Sequence, residues 1–217
     1  MATQISLSQW VYRMPDNIRK KIQVKKSFIE GFGYSHHLGT LSWNKECPVD
    51  YMPAINLFKV PHEADICADV GCGPFCGIFS ARQWKTMYAV DPAWHIYESS
   101  DLVMCPSENI KFIEDYAQTF KLPEKADIIF SINTLNHSGD IKKSIENIMC
   151  NLKIGGLFFL HINHRSPREI NSKHPILVSK EIVENILRNY NVIEKMWISD
   201  PLCSGKGKPT MIATLKA

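Results

Sequence analysis

Beyond Asp65 the chain alternates short apolar runs with polar turns and helically spaced apolar positions. Ile66-Cys67-Ala68-Asp69-Val70 is nearly all apolar and ends at a glycine-rich turn, the pattern of a buried parallel strand. A helix is expected over Phe75 to Trp84, and Thr86 to Val90 reads as the second strand, stopped by Asp91-Pro92. Ala93 to Met104 suits a helix or an irregular connection, Ile110 to Ile113 a third strand, and Ala126 to Ile132 a fourth. Asp140 can cap a helix on which Ile141, Ile145, Ile148, Met149 and Leu152 recur at helical intervals. Lys153-Ile154-Gly155-Gly156 is expected to break that helix before a fifth strand, Leu157 to Leu160. Ser179 caps a further helix reaching Tyr190, and Val192 to Ile198 and Thr210 to Leu215 close the pattern as two strands.

Strands alternating with helices predict an α/β fold: a Rossmann-like, mostly parallel, seven-stranded sheet with helices on both faces. The last two strands are joined by a loop too short for a crossover helix, so one closing strand runs antiparallel. Residues 64–217 carry this pattern, and residues 1–63 form a separate N-terminal helical or lid segment packing on it. There Met14-Pro15-Asp16 starts a helix with Ile18, Ile22 and Ile29 on one side and Arg19, Lys20, Lys21, Lys25 and Lys26 on another. The basic side reads as a solvated face. The following stretch contains Tyr34, His36, His37 and Trp43 and reads as a cover for a core or a site.

Composition narrows the partners. With 217 residues, 45% hydrophobic and 22% charged, the chain can bury a sizeable core without staples. A formal net charge of +3 is too small to argue for nucleic acid or an anionic membrane. Seven scattered cysteines and the absence of a signal-like N-terminus or a membrane-length apolar run point to a cytoplasmic protein with reduced thiols.

In such sheets ligands bind beyond the carboxyl ends of the strands, which directs attention to the strand exits. Gly71 and Gly73 follow the first strand and allow a tight turn with close backbone approach. Asp91 follows the second strand, twenty positions after Gly71, where a carboxylate accepts the hydroxyls of a ribose. The pair implies an adenosine-type cofactor. A dinucleotide enzyme would place a third glycine where Cys76 stands.

Asp69-Val70-Gly71-Cys72-Gly73-Pro74 resembles the first motif of class I S-adenosylmethionine-dependent methyltransferases. Ala89-Val90-Asp91-Pro92, Ala126 through His137 and Leu152-Lys153-Ile154-Gly155-Gly156 resemble their later motifs, in the same order, over residues 64 to 217. The resemblance implies a methyltransferase of small-molecule type with S-adenosylmethionine as cofactor and no metal. By it, Asp69, Gly71, Cys72 and Gly73 lie along the cofactor with Asp69 near its ammonium end. Asp91 and Pro92 hold the ribose, Asp115 and Tyr116 flank the adenine, and Asn133 opens the polar loop after the fourth strand. Phe75 and Gly77 depart from the family's commoner glycine spacing.

Methyl transfer from a sulfonium needs alignment, water exclusion and removal of an acceptor proton. His137, His161 and His164, all at strand exits, are the candidate bases, since imidazole titrates near neutrality. Arg165 suits an anionic group on the acceptor, and Tyr34, His37 and Trp43 are candidate acceptor contacts. Asn133-Thr134-Leu135-Asn136 lacks the Asn/Asp-Pro-Pro-aromatic motif of enzymes acting on nucleic-acid bases, so a small metabolite, sugar or lipid precursor is the expected acceptor. The competing readings are a nicotinamide-dependent oxidoreductase and a non-catalytic S-adenosylmethionine-binding regulator.

Overall fold

The computed structural model describes residues 60–61, 64–73, 76, 78–79, 84–99, 109–170, 175–200 and 208–217. The strands are β1 (Ile66–Val70), β2 (Thr86–Val90), β3 (Ile110–Ile113), β4 (Ala126–Ile132), β5 (Leu152–Asn163), β6 (Asn191–Asp200) and β7 (Lys208–Lys216). They form one seven-stranded sheet in the order β3-β2-β1-β4-β5-β7-β6. β1 to β5 pair in parallel, while β7 runs antiparallel to both β5 and β6. The single reversed strand expected from the short closing loop is therefore β7, inserted between its two neighbours.

Side chains two apart along a strand share a face, and the sheet separates two apolar layers accordingly. Cys67, Met87, Ala89, Ile128, Phe130 and Phe159 face one side, under Ile78, Phe79, Trp84 and Tyr97. Phe130 stacks on Phe159 at 5.0 Å between ring centroids and meets the edge of Trp84 at 6.2 Å. Ala68, Tyr88, Ile129, Phe158, Leu160 and Ile162 face the other side. There they meet α2 (Ile141–Cys150) through Ile141, Ile145 and Ile148, and α3 (Lys180–Leu187) through Val183 and Leu187. The helix α1 (Trp94–Ser99) follows β2.

Capping is as the residues predict. Asp140 accepts from the Lys143 N–H at 3.0 Å and Ser179 from the Ile182 N–H at 3.2 Å. One expectation is corrected: Lys153-Ile154-Gly155-Gly156 does not break the chain between helix and strand, because β5 already begins at Leu152. The glycines sit in an irregularity, where β5 advances from Leu152 to Leu157 while β4 advances from Ala126 to Ile128. Gly155 adopts φ +82°, and a β-carbon on Gly156 would lie 2.9 Å from the Lys153 carbonyl oxygen. Glycine there lets the strand swell without ending. Of the helix expected over Phe75 to Trp84, the described residues Ile78 and Phe79 are helical and Trp84 lies outside it. No helix among the described residues is long and apolar enough to cross a membrane.

Candidate functional site

The exit of β1 folds back onto β2: the N–H groups of Gly71 and Cys72 both donate to the Val90 carbonyl, at 2.7 and 3.3 Å. Gly71 (φ +79°) and Gly73 (φ +59°) lie in the left-handed region that glycine tolerates best. The two glycines answer different demands. The volume of a β-carbon at Gly71 is already taken by the side chain of Thr134 from the β4 exit, whereas Gly73 faces open space.

Asp91 is 2% exposed and ties three elements together. Its Oδ2 accepts from the Gly73 N–H at 3.0 Å, its Oδ1 from the Ala93 N–H at 2.9 Å, and its own N–H donates to the Ile113 carbonyl at 3.1 Å. The buried Tyr97 hydroxyl also bonds to it, and burial, followed by the charge of Asp91, raises that phenol's pKa well above its ordinary value. A carboxylate offers about four acceptor positions. Among the described residues three are filled. Asp69, 4% exposed, lies two residues beyond Cys67 on the same face of β1. Burial, then the nearby Asp91 charge, lifts its pKa to about 8.

At the β3 exit, Asp115 turns back on its own loop, accepting from the Tyr116 N–H at 2.7 Å and the Thr119 hydroxyl at 2.6 Å. Tyr116 is half-buried. Pro92, also half-buried, begins the turn into α1. A stacked pair, Trp94 on Phe112 at 3.5 Å and 9° between planes, walls the space between α1 and β3.

The β4 exit carries a polar relay. Asn133, in the left-handed region at φ +53°, donates its N–H to the His161 carbonyl at 2.9 Å. Its Oδ1 accepts from Asn163 Nδ2 at 2.6 Å, and Asn163 Oδ1 accepts from the Thr210 hydroxyl at 2.6 Å. Leu135–His137 then form a short 3₁₀ turn in which Asn136 and His137 are buried. Asn136 Nδ2 lies 3.2 Å from His137 Nε2.

On β5, His161 is 1% exposed and stands in register with Ile132 and Ile212. His164 is half-buried, held through its N–H to the Pro209 carbonyl at 2.8 Å. Arg165 bridges through its backbone to Val178, and its guanidinium lies 3.9 Å from Glu169 in the Ser166-capped turn. The fold thus gathers Asp69, Gly71, Cys72, Gly73, Asp91, Pro92, Asp115, Tyr116, Asn133, His137, His161, His164 and Arg165 along the carboxyl edge of the sheet. Tyr34, His37 and Trp43 lie outside the described residues. Sequence reasoning missed Tyr97, Thr134 and Thr210 as supports of this edge; each acts through a partner remote in sequence or masked by an ordinary helical position.

These residues fit S-adenosylmethionine. A buried carboxylate pair, with no cation among the influences on Asp69, suits a ligand carrying positive charge. No described atom lies within 4 Å of a β-carbon built on Gly73, and the Asp91 carboxylate is held beside that turn. A shallow cavity of about 220 Å³ beside Asp127, Lys153 and Gly155 lies at the opposite, amino edge and is no part of this constellation. Among the described residues no three His, Cys, Asp or Glu side chains gather as a metal site requires.

Residues 68–160 match the family model of a methyltransferase domain, which decides between the methyl-donor and nicotinamide readings. No curated protein matches the chain. Among solved structures, the N-methyltransferase NodS from Bradyrhizobium japonicum, in complex with S-adenosyl-L-homocysteine, is 13% identical with a TM-score of 0.55, over 93% of this chain and 98% of that one. A S-adenosylmethionine-dependent methyltransferase from Thermotoga maritima is 15% identical with a TM-score of 0.58, over 87% and 97%. Another, from Clostridium acetobutylicum, is 15% identical with a TM-score of 0.53, over 70% and 83%. These likenesses are likenesses of fold.

Proposed function

We propose that the chain is a class I S-adenosylmethionine-dependent methyltransferase, as its match to a methyltransferase-domain model supports, and that residues 64–217 carry the methyl group to a small-molecule acceptor, a metabolite, sugar or lipid precursor. The observation that carries this reading is the burial of the polar groups at the β4 and β5 exits: His137 is 8% exposed, His161 1% and Asn163 1%. Polar side chains set that deep at the strand exits suit a small polar group better than the face of a nucleic acid. The modest net charge of +3 agrees.

The cofactor supplies an electrophilic methyl group already activated by its sulfonium. The protein's part is alignment, exclusion of water and removal of the acceptor's proton. We assign the base to His137. Asn136 Oδ1 is buried and has no hydrogen-bond partner among the described residues. With its amide turned, that oxygen accepts from His137 Nε2–H and holds the imidazole in one orientation. His161 and His164 line the same edge as alternatives, and Arg165 offers charge to an anionic acceptor. Residues 1–63, through Tyr34, His37 and Trp43, are proposed to complete the acceptor side. A cytoplasmic location accompanies this reading, in keeping with the free thiols Cys67, Cys72, Cys76 and Cys150.

The test is transfer of labelled methyl from S-adenosylmethionine to a panel of small amines, carboxylates and alcohols. Turnover is expected, with His137→Ala losing about 10²–10⁴-fold in kcat and Trp43→Ala raising the acceptor's KM. Cofactor binding without turnover on any acceptor would favour the regulatory reading instead. Full activity of His137→Ala alongside loss in His161→Ala would move the base to β5.

A further inference from the structure

We infer that the cofactor site is proton-linked: Asp69 holds a proton in the cofactor-free protein at neutral pH and surrenders it when the ammonium-bearing end of the ligand arrives. The inference rests on the reading of the chain as an S-adenosylmethionine-binding protein. Its geometry is that of a carboxyl group walled into the sheet. Asp69 is 4% exposed, in register with Ala89 on β2 and Phe130 on β4, so neither neighbouring strand offers it a cation at that level.

Among the described residues the charged group acting on it is Asp91, at the end of β2. The thiols of Cys67, Cys72 and Cys76 and the phenol of Tyr97 belong to the buried cluster on the same side of the sheet. β4 contributes Ile128 and Phe130 on that face, neither titratable. Asp91 accepts from Gly73 N–H and Ala93 N–H, whereas no backbone N–H among the described residues donates to Asp69. A buried carboxylate beside the charge of Asp91 is unfavourable, and a pKa raised to about 8 follows from that arrangement.

An arriving ammonium reverses the balance, because opposite charge at close range favours the ionised acid. The Asp69 O–H bond then breaks, the proton passes to the buffer and the carboxylate pairs with the cation. No oxidant or further reactant takes part. Ligands that keep the amino-acid moiety should show this release, and ligands that lack it should not.

The experiment is calorimetric titration with S-adenosylmethionine, S-adenosylhomocysteine and methylthioadenosine, which has the nucleoside without the ammonium. Wild type and Asp69→Asn are titrated from pH 6 to 7.5, in phosphate and in imidazole, whose ionisation heats differ. In wild type, both amino-acid ligands should release about one proton, with affinity rising about tenfold per pH unit. Methylthioadenosine should release none. In Asp69→Asn, which mimics the protonated acid and keeps every histidine, release should vanish and the pH slope flatten. Binding without proton release in wild type, or with the same release in Asp69→Asn, overturns the inference while leaving the methyltransferase reading intact. Failure of both amino-acid ligands to bind wild type at any pH overturns the inference together with the reading it rests on. The wild-type comparison between buffers needs no variant, so it stands even if Asp69→Asn folds poorly.

Discussion

Thr134 occupies the volume that a β-carbon on Gly71 would need, and its hydroxyl donates to the Gly71 carbonyl at 3.2 Å. The loop that follows β4 is thereby keyed into the loop that follows β1. Gly71→Ala should lower stability by more than the roughly 1–2 kcal/mol of the left-handed backbone alone, since Thr134 must also move. Gly73→Ala meets no atom and should show only the backbone term. Urea denaturation of the two variants checks the difference, and equal losses would remove Thr134 from the explanation.

Asp91, the proposed ribose contact, is also a structural knot. Asp91→Ala leaves the Gly73 and Ala93 N–H groups and the Tyr97 hydroxyl without their acceptor. A loss of about 1.5–3 kcal/mol is expected for hydrogen bonds to a charged group, together with weakened cofactor binding. Thermal melts with and without S-adenosylhomocysteine separate the two effects. A variant that melts like wild type but binds poorly would make Asp91 a ligand group only.

Asp69 sets a pH dependence of the opposite sign to the usual carboxylate. Its folded pKa of about 8 lies above the ordinary 3.8, so between those values the folded state holds a proton that the unfolded state has lost. Stability contributed by this group is therefore full below 3.8, falls as pH rises to about 8, and is level beyond. Asp69→Asn should gain stability over wild type at pH 8 relative to pH 5. Denaturation curves at the two pH values check it, and a constant difference would contradict the assignment.

Asp127 works at the amino edge with the ordinary sign. Burial alone would raise its pKa. The Lys153 side chain at 2.7 Å and the Ile66 N–H at 2.9 Å, with the Lys153 charge and the Asp65 N–H, hold it below 3.8 instead. The stability it contributes is present above 3.8 and is lost as pH falls through its folded value. Asp127→Ala should lower stability by about 1–2 kcal/mol at neutral pH and blunt acid unfolding below pH 4. An unchanged acid limb would assign that limb to other carboxylates.

The first four strands were legible to the residue because each is a short apolar run stopped by a polar or glycine turn, such as Val70-Gly71 or Ile132-Asn133. β5 was read too short: Gly155 and Gly156 look like punctuation, yet the strand runs through them as a bulge. At the site, residue types at strand exits were readable, but partners were not. Gly71 and Thr134 are 63 residues apart, and Asn163 and Thr210 47 apart. No local pattern announces that a glycine is reserved for a threonine rather than for a ligand.

The placement of β7 has a dynamic corollary. β6 reaches the sheet only through β7, and the two form one antiparallel leaf against the outer edge of β5. Were such a leaf to open as a unit, β1 and its glycine turn would be spared. Thr210 would leave with it, releasing Asn163 and through it Asn133. The glycine turn after β1 and the Asn133–Asn163–Thr210 relay would then open separately, as two cooperative blocks.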